Sequence, residues 1–495
     1  MTRIRVRLAQ PDTRPTTPTR RACQVARLLG YSLEGEQPAR NDRASVRSSV
    51  VIDTGYVVLV SGASGSGKST TLGAIVAEAR SSGWHIIDVG AIRLGARVCV
   101  DLHPRLDLDR TLALLSAVGL SEARVLVSRA PSLSDGQRDR LRMARAMANA
   151  MAHRRSSTSS TMVVVDECCA RLDRLTARCV AALLARMSRS MHRLALVVAS
   201  SHDDLRACLG PDIEIRCSLS ASPAVLIAER QIAIAPVTVA CEVVDSDEER
   251  RALLRRFCPM HYRGGRPATI AQLRVARHAT SGDALGVLIV SSPTLNARHR
   301  ALAWPGRYTG GDRGVCARRL NREVRCLSRT IVDPRVRGVG VATRLVQSYL
   351  DSPLTARTEA IAAMGKIARF HERAGMRAWA IPPDPPDARL LDALEHAGIE
   401  SWRLAQPLSV WRRLESGGQL AFITREIDIW SRAGRSRAWA SPRRWEDDHR
   451  SRFVALCARV HEGYVAYTHD AQGGDCAPPI AAKDTHDAGE TLANR

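Results

Sequence analysis

The sequence predicts an α/β protein: a parallel-sheet domain over residues 48–215, then a smaller α+β domain over residues 216–380, then a mostly helical extension over residues 381–467. Three observations predict it. An apolar, β-branched run at residues 56–60 enters the loop Gly62-Ala63-Ser64-Gly65-Ser66-Gly67-Lys68-Ser69-Thr70, and helical periodicity follows at residues 71–80. From there to residue 215 strand and helix patterns alternate, which is the order a parallel sheet needs. A second strand, turn and helix at residues 326–350, with glycines at 338 and 340, centres the next domain.

The first loop has the residue types of a Walker A motif in the context that motif requires. Gly62, Ser64, Gly65 and Gly67 let backbone N–H groups turn inward around phosphate oxygens, and the helix that follows adds its positive end. Lys68 reaches β- and γ-phosphates, the Ser69 hydroxyl suits Mg²⁺, and Thr70 continues the helix start. Three further pieces follow in order. Leu133-Ser134-Asp135-Gly136-Gln137 precedes a basic helical stretch at residues 138–147. Residues 162–165 read as a buried strand that ends in Asp166 and Glu167, and residues 194–199 as a strand that leads to His202. Residues 84–89 and 96–100 read as strands, 110–118 and 174–190 as helices, and 154–161 as a loop.

This ordered set resembles the ATP-binding cassette (ABC) ATPases over residues 50–215. The resemblance implies ATP and Mg²⁺ as ligands. By position, Asp166 holds Mg²⁺ with Ser69, Glu167 is the general base for the attacking water, and His202 senses the γ-phosphate. Ser134, Gly136 and Gln137 are the signature, facing the nucleotide of a second subunit, and Ala170 to Asp173 is the D-loop. One cassette per chain implies a homodimer through this domain. The sequence departs from the family at Asp135, where a second glycine is expected, and in having no glutamine between Thr70 and Ser134. Tyr31 and Tyr56 are the nearest candidates for an adenine-stacking ring. The stretch from Lys68 to the signature is shorter than in transporter cassettes, where the added length docks membrane partners.

In the second domain, residues 248–256 read as a helix, 268–278, 285–291 and 326–332 as strands, and 343–350 as a helix. The turn between the last two carries Arg335, Arg337, Gly338, Val339 and Gly340, a basic anion site at a helix N-terminus. It lacks the lysine of a P-loop and the glycine spacing of a dinucleotide fingerprint. With the stretch from Ala368 to Met376, it resembles the GCN5-related N-acetyltransferases (GNAT fold). That resemblance implies acetyl-CoA or another acyl-CoA, its pyrophosphate cradled by the backbone around Arg337 to Gly340, with Arg335, Gly338 and Gly340 on the key positions. His371 stands where the family often has a tyrosine general acid, and a histidine can move a proton near neutral pH. No carboxylate in residues 327–332 offers an obvious base. The two halves together resemble ABC ATPases fused to an acetyltransferase, and the second half is loosely similar to Mom-type GNAT proteins that modify DNA.

Composition bounds the partners. The 495 residues carry a net charge of +23, with Lys68, Lys366 and Lys483 as the only lysines. Residues 251–340 hold eighteen arginines against four acids, Asp283, Asp312, Glu323 and Asp333, a surplus of fourteen that fits a polyanion such as a nucleic acid. The thirteen cysteines have no framework spacing and read as reduced thiols. Cys258-x-x-His261 has half a zinc spacing and no second pair. No signal sequence or membrane-length apolar run is present, so a cytoplasmic protein without a membrane partner is expected. Residues 1–47 form a basic segment with a helix at 19–29 closed by Gly30. The extension has helices at 388–397, 427–433 and 445–461 with tryptophans as core anchors, and 468–495 is expected to be a disordered tail. These readings give an ATPase gating an acyl transfer to nucleic acid. The alternatives are an ATP-driven nucleic-acid clamp with a non-catalytic GNAT module, and, disfavoured, a transport ATPase.

Overall fold

The computed structural model describes residues 3–8, 19–28, 49–218, 224–227, 235–261, 267–309, 312–433, 435–442, 449–460 and 462–471. Gly30, Tyr31, the loop at 34–47, Tyr262, Gly434, Trp445 and everything from 472 onward lie outside these residues. The chain forms two compact units. The first comprises Met1–Arg266, Leu273–Leu288 and Arg329–Ser348, and the second Pro267–Gln272, Ile289–Ser328 and Tyr349–Arg495. The division therefore does not fall at residue 216, because the second glycine turn belongs to the first unit.

In the first unit, β1 (Arg3–Arg7) pairs antiparallel with β2 (Ser49–Asp53). The main sheet holds β3 (Val57–Ser61), β4 (His85–Asp88), β5 (Thr161–Val165), β6 (Leu194–Ser200), β7 (Ile213–Arg216) and β8 (Ala224–Ile227), in the order β4-β5-β6-β3-β7-β8. All its pairings are parallel except β7 with β8. β3, β5 and β6 are buried along their whole length, as strands covered on both faces must be. Alternation then sorts β3: Val57 and Leu59 face one core, with the helices Leu108–Ala117, Asp135–Ser156 and Arg174–Ser190, while Val58 and Val60 face another, with the helix Lys68–Ser81. The strand expected at 96–100 is instead a loop with one bridge, Val98 to Arg129. Its backbone is satisfied by irregular bonds from Cys99 to Ser128 and from Val100 to Leu126. The expected loop at 154–161 starts later, because the Asp135–Ser156 helix runs on through its first residues.

The second sheet comprises β9 (Val239–Val243), β10 (Gln272–His278), β11 (Ala284–Ser291), β12 (Val324–Val332), β13 (Arg357–Ala362), β14 (Arg377–Ile381) and β15 (Tyr464–Asp470). Its order is β14-β15-β13-β12-β11-β10-β9. β12 and β13 are parallel, from Val324–Arg357 to Leu327–Ala360, and β12 continues past that ladder to Val332.

Beyond β14 the helices Pro385–His396, Pro407–Ser416, Leu420–Arg432 and His449–Cys457 enclose Leu390, Leu394, Trp411, Ile423, Ile427, Trp430 and Phe453. Trp411 and Trp430 are core anchors, but Trp402 is 59% exposed. Two boundaries need correction. Residues 464–470, divided in the sequence reading between the helical extension and a disordered tail, form β15 between β13 and β14. Val465 and Tyr467 are buried there, and Thr468, also buried, accepts a hydrogen bond from Trp379 Nε1 at 2.8 Å. Pairing with a strand on each side buries four consecutive residues, Val465 to Thr468, despite the polar composition that follows. Among the described residues no helix is long and apolar enough to cross a membrane.

Candidate nucleotide-binding site

β3 delivers the chain into the Gly62–Thr70 loop at the C-terminal edge of a parallel sheet, where open α/β sheets place their ligands. Gly62 has φ +145, and a Cβ there would overlap the Cys217 carbonyl oxygen and lie 2.6 Å from Ser66 Oγ. Gly67, at φ +92, is the left-handed residue from which the Lys68–Ser81 helix starts. Lys68 is 9% exposed and its Nζ donates to Ala63 O at 2.8 Å, which folds the ammonium back over the loop. Ser66 Oγ is buried with no partner among the described residues. An unpartnered buried hydroxyl within this loop fits a phosphate oxygen as its partner.

Ser69 Oγ donates to Asp166 Oδ2 at 2.9 Å, joining two segments far apart in sequence. This pair is the donor set for a hard divalent cation: one hydroxyl, one carboxylate, both exposed. Asp166 Oδ1 also accepts from the Glu167 amide at 3.0 Å. Glu167 has φ +49, an uncommon conformation for a residue with a side chain. Its carboxylate is exposed and no ion pair competes for it among the described residues. β6 lies between β3 and β5 and carries half-buried His202 just past its end, the His202 amide donating to Ser200 Oγ at 3.1 Å. Arg174 and Asp204 pair across the same edge.

Beneath the loop lies a group the sequence reading did not pick out. Glu214 on β7 is 3% exposed and accepts from Ser61 Oγ at 2.9 Å, Arg206 Nε at 2.7 Å and Arg216 Nε at 3.0 Å. Burial works to raise its pKa, but these donors hold its carboxyl below the usual range. It staples β7 to the strand that enters the loop.

The signature residues form a capping box. The Gln137 amide donates to Ser134 Oγ at 3.3 Å, and the Ser134 amide donates to Gln137 Oε1 at 3.0 Å. Asp135 is ion-paired with Arg138, whose Nη1 also donates to Leu133 O at 2.9 Å. The carboxylate that departs from the family pattern is thus partnered, and it sits in a first helical turn where negative charge is favoured. Gly136 leaves room for Leu172, since a Cβ would lie 2.8 Å from Leu172 Cδ2. Asp173 caps the next helix, accepting from the Thr176 amide at 3.1 Å. Signature and D-loop are therefore in contact.

The second glycine turn is engaged from within the first unit. Arg335 bonds Asp333 through Nε at 3.1 Å and Nη2 at 2.9 Å. Burial opposes ionisation of Asp333, yet Arg335 and Arg256 hold its carboxyl below the usual range. Arg337 Nε donates to Val332 O at 3.1 Å and Nη1 to Ser121 Oγ at 3.4 Å. Arg186 Nη2 donates to Gly338 O at 2.8 Å, and a Cβ on Gly338 would lie 3.2 Å from Leu183. Val339 is half-buried, and Gly340 has nothing within 4 Å of its Cβ position. The Arg335 and Arg337 side chains have protein partners, while the expected anion cradle is the backbone around Arg337 to Gly340, in which Gly338 and Gly340 have positive φ.

His371 departs from its expected role. It is 4% exposed, stacks on Tyr467 with ring centroids 4.6 Å apart, and burial pushes its pKa down to about 4. It is neutral at pH 7, so proton donation near neutral pH is not available to it. A buried acidic group does exist nearby in sequence. Glu359 on β13 accepts from Arg300 Nη2 at 2.6 Å and Nε at 2.7 Å and lies 3.0 Å from His299 Nε2, all three side chains being buried. The sequence signal was an acid on a β-branched strand, visible only once β13 is recognised.

No family model matches the sequence, and neither does any curated protein. Among solved structures the chain is similar to cbiO1 from Clostridium perfringens, part of the ABC transporter complex cbiONQ, at 15% identity over 39% of this chain and 85% of that one, with a TM-score of 0.28. It is similar to the ADP conformation of MJ1267, an ATP-binding cassette of an ABC transporter, at 16% identity over 37% and 84%, with a TM-score of 0.29. It is also similar to a dimeric post-hydrolysis state of the ATP-binding cassette MJ0796 bound to ADP and Pi, at 19% identity over 37% and 89%, with a TM-score of 0.29.

Proposed function

We propose that this protein is an ABC-type ATPase that works as a homodimer and couples nucleotide-driven closure to a GNAT-like acyltransferase module acting on nucleic acid. The observation that carries the ATPase reading is the Ser69–Asp166 hydrogen bond, with Glu167 next in sequence and exposed. Lys68 and the loop amides would hold the ATP phosphates, and Ser69 and Asp166 the Mg²⁺. The metal would supply charge neutralisation on the phosphates. Glu167 would orient and deprotonate water, and His202 would sense the γ-phosphate. Ser134 and Gly136 would close the site of a second copy.

The GNAT-like reading is supported by the strand order of the second sheet and by the parallel pair β12 with β13, flanking the Val341–Leu350 helix in sequence. Gly338 and Gly340 both have positive φ in the intervening turn. The nucleic-acid partner is supported by the Arg313–Glu323 helix, which buries Leu320 and exposes Arg313, Arg318, Arg319 and Arg322. Filter binding to DNA and RNA over a salt series tests it. Loss of three phosphate contacts in Arg318→Gln/Arg319→Gln/Arg322→Gln protein should flatten the log–log salt slope by about 2–3. No binding by the unaltered protein at low salt removes the substrate class.

A second reading is favoured by the partners of Arg335 and Arg337 and by the neutrality of His371: a nucleic-acid clamp whose GNAT-like module does not transfer an acyl group. Calorimetry separates the two. Acetyl-CoA binding whose affinity changes with ATP supports acyl transfer, and ATP binding with no acyl-CoA binding supports the clamp.

A further inference from the structure

We propose that the turn at residues 333–338 is a positioning element of the ATPase, holding the signature glycine Gly136 in place through Arg140. The inference rests on the ATPase reading and is independent of acyl transfer. Arg140 lies one helical turn after Gly136, and its guanidinium bonds two carbonyls, Gly136 O through Nε at 3.2 Å and Gly119 O through Nη1 at 3.2 Å. One rigid, planar fork thereby ties the signature end of the Asp135–Ser156 helix to the bend after Leu108–Ala117. That bend is what the later turn packs on. A Cβ on Gly119 would lie 3.1 Å from Arg140 Nη1 and 3.6 Å from Pro334 O.

Arg337 extends the same contact. Its Nη1 reaches Ser121 Oγ at 3.4 Å and Glu122 at 3.9 Å, and Glu122, with Asp173, also acts on the Arg140 guanidinium. Gly338 fits against Leu183 and Ser116 O, at 3.2 and 3.3 Å from its Cβ position, while Arg186 clasps its carbonyl. On its other side Gly136 abuts Leu172. A continuous path of packed groups runs from Leu172 through Gly136, Arg140 and Gly119 to the turn. No member of that path except Gly136 is expected to touch nucleotide, so Arg140, Arg337 and Gly338 act through Gly136. Arg140 and Arg337 are half-buried, with Glu122, Asp173 and Asp333 as the acids acting on them, and each keeps its carbonyl bonds only while those acceptors stay in register, which makes the arrangement position-sensitive rather than merely adhesive.

The test uses the full chain with Arg140→Gln, Gly338→Leu, Arg337→Lys and Arg337→Ala. Three readouts are taken: ATP affinity of the full chain at low protein concentration, steady-state hydrolysis, and amide exchange at residues 133–138. The expected result is a kcat loss of about tenfold or more for Arg140→Gln and Gly338→Leu, ATP affinity within about twofold, and faster exchange at the signature. The double variant should lose no more than the worse single one, because both break one path. Arg337→Lys, which keeps the charge and can keep one bond, should retain most of the activity, whereas Arg337→Ala, which removes both bonds, should lose about tenfold and stands in for Gly338→Leu should that variant fail to fold. Wild-type hydrolysis in Arg140→Gln, additive losses in the double variant, or unchanged exchange at residues 133–138 would each overturn the proposal. If the unaltered protein hydrolyses no ATP, the ATPase reading fails, and the exchange measurement still decides whether the turn positions the signature.

Discussion

Gly62 is where a single methyl group meets the least yielding part of the loop. A Cβ there overlaps the Cys217 carbonyl oxygen and lies 3.2 Å from its carbon, and Cys217 is anchored by its amide to Ser61 O at 2.7 Å. Neither side can retreat independently, so Gly62→Ala moves the loop by roughly 1 Å to recover ordinary van der Waals spacing. A misplacement of that size in a positioned site costs about 100-fold, or about 2.7 kcal/mol. Titration calorimetry with ATP and Mg²⁺ should therefore show Kd raised about 100-fold. Two controls rank the cause. Gly67→Ala keeps open space around its Cβ but holds φ +92, so only backbone strain of about 1–2 kcal/mol applies and the loss is nearer tenfold. Gly73→Ala lies within the helix with nothing within 4 Å, and should leave affinity unchanged while stabilising by about 0.5–1 kcal/mol. Near-wild-type ATP affinity in Gly62→Ala, or a larger loss at Gly67 than at Gly62, would refute the reasoning.

Glu167→Gln removes the proposed general base but not the proposed binding groups, so ATP and Mg²⁺ should trap a dimer, read as doubled mass by light scattering; a monomer under those conditions counts against two-copy closure. Glu214→Gln leaves Ser61 and two arginines short of an acceptor and should destabilise by about 1–3 kcal/mol, discounted because Arg206 and Arg216 are 39% and 56% exposed, as measured by urea denaturation. The His371 pKa is lowered to about 4, against about 6.5 in an unfolded chain, so the unfolded state binds the extra proton first and stability falls as pH drops from about 6.5 to 4, by about 3 kcal/mol in all. His371→Phe should flatten that part of the pH–stability curve. Glu359→Ala strands Arg300 and His299 without their acceptor and should cost about 3–5 kcal/mol. Glu359 is held below the usual carboxylate range, so its contribution is present above about pH 4.3 and lost as pH falls through its folded value.

The Gly62–Thr70 loop was legible as a structure because strand, glycine turn and helix are consecutive, and the roles proposed for its residues rest on their chemistry. The expected pairing of Ser69 with Asp166 needed only motif order. Glu214, Glu359 and His299 were not legible: a lone charged residue in an apolar run reads as an edge or a turn until its partners are known, and Glu359 finds Arg300 across 59 residues. The contact of Gly338 with Arg186 spans 152 residues, so a glycine chosen for an anion and one chosen for packing look the same in sequence. The Arg313–Glu323 helix was missed because its apolar face is essentially Leu320 alone. β15 was missed because Thr468, His469 and Asp470 look like the start of a polar tail, whereas pairing with two neighbours buries Val465 to Thr468 and half-buries the two residues that follow.

The first unit is assembled from three separate stretches of chain, the last of them Arg329–Ser348. A ribosome making this protein thus finishes the nucleotide loop and its sheet well before it supplies the turn that fits against Leu183 and Ser116. At about 5–20 residues per second, the interval between Cys217 and Ser348 is on the order of ten seconds. During that time Leu183, Gly119 and the Arg140 region lack their cover. A fragment ending at residue 215 is then a molecule arrested at that stage, not a free-standing cassette. Cutting the gene there should give a sticky, chaperone-dependent product, whereas expression through residue 348 and beyond restores the missing piece.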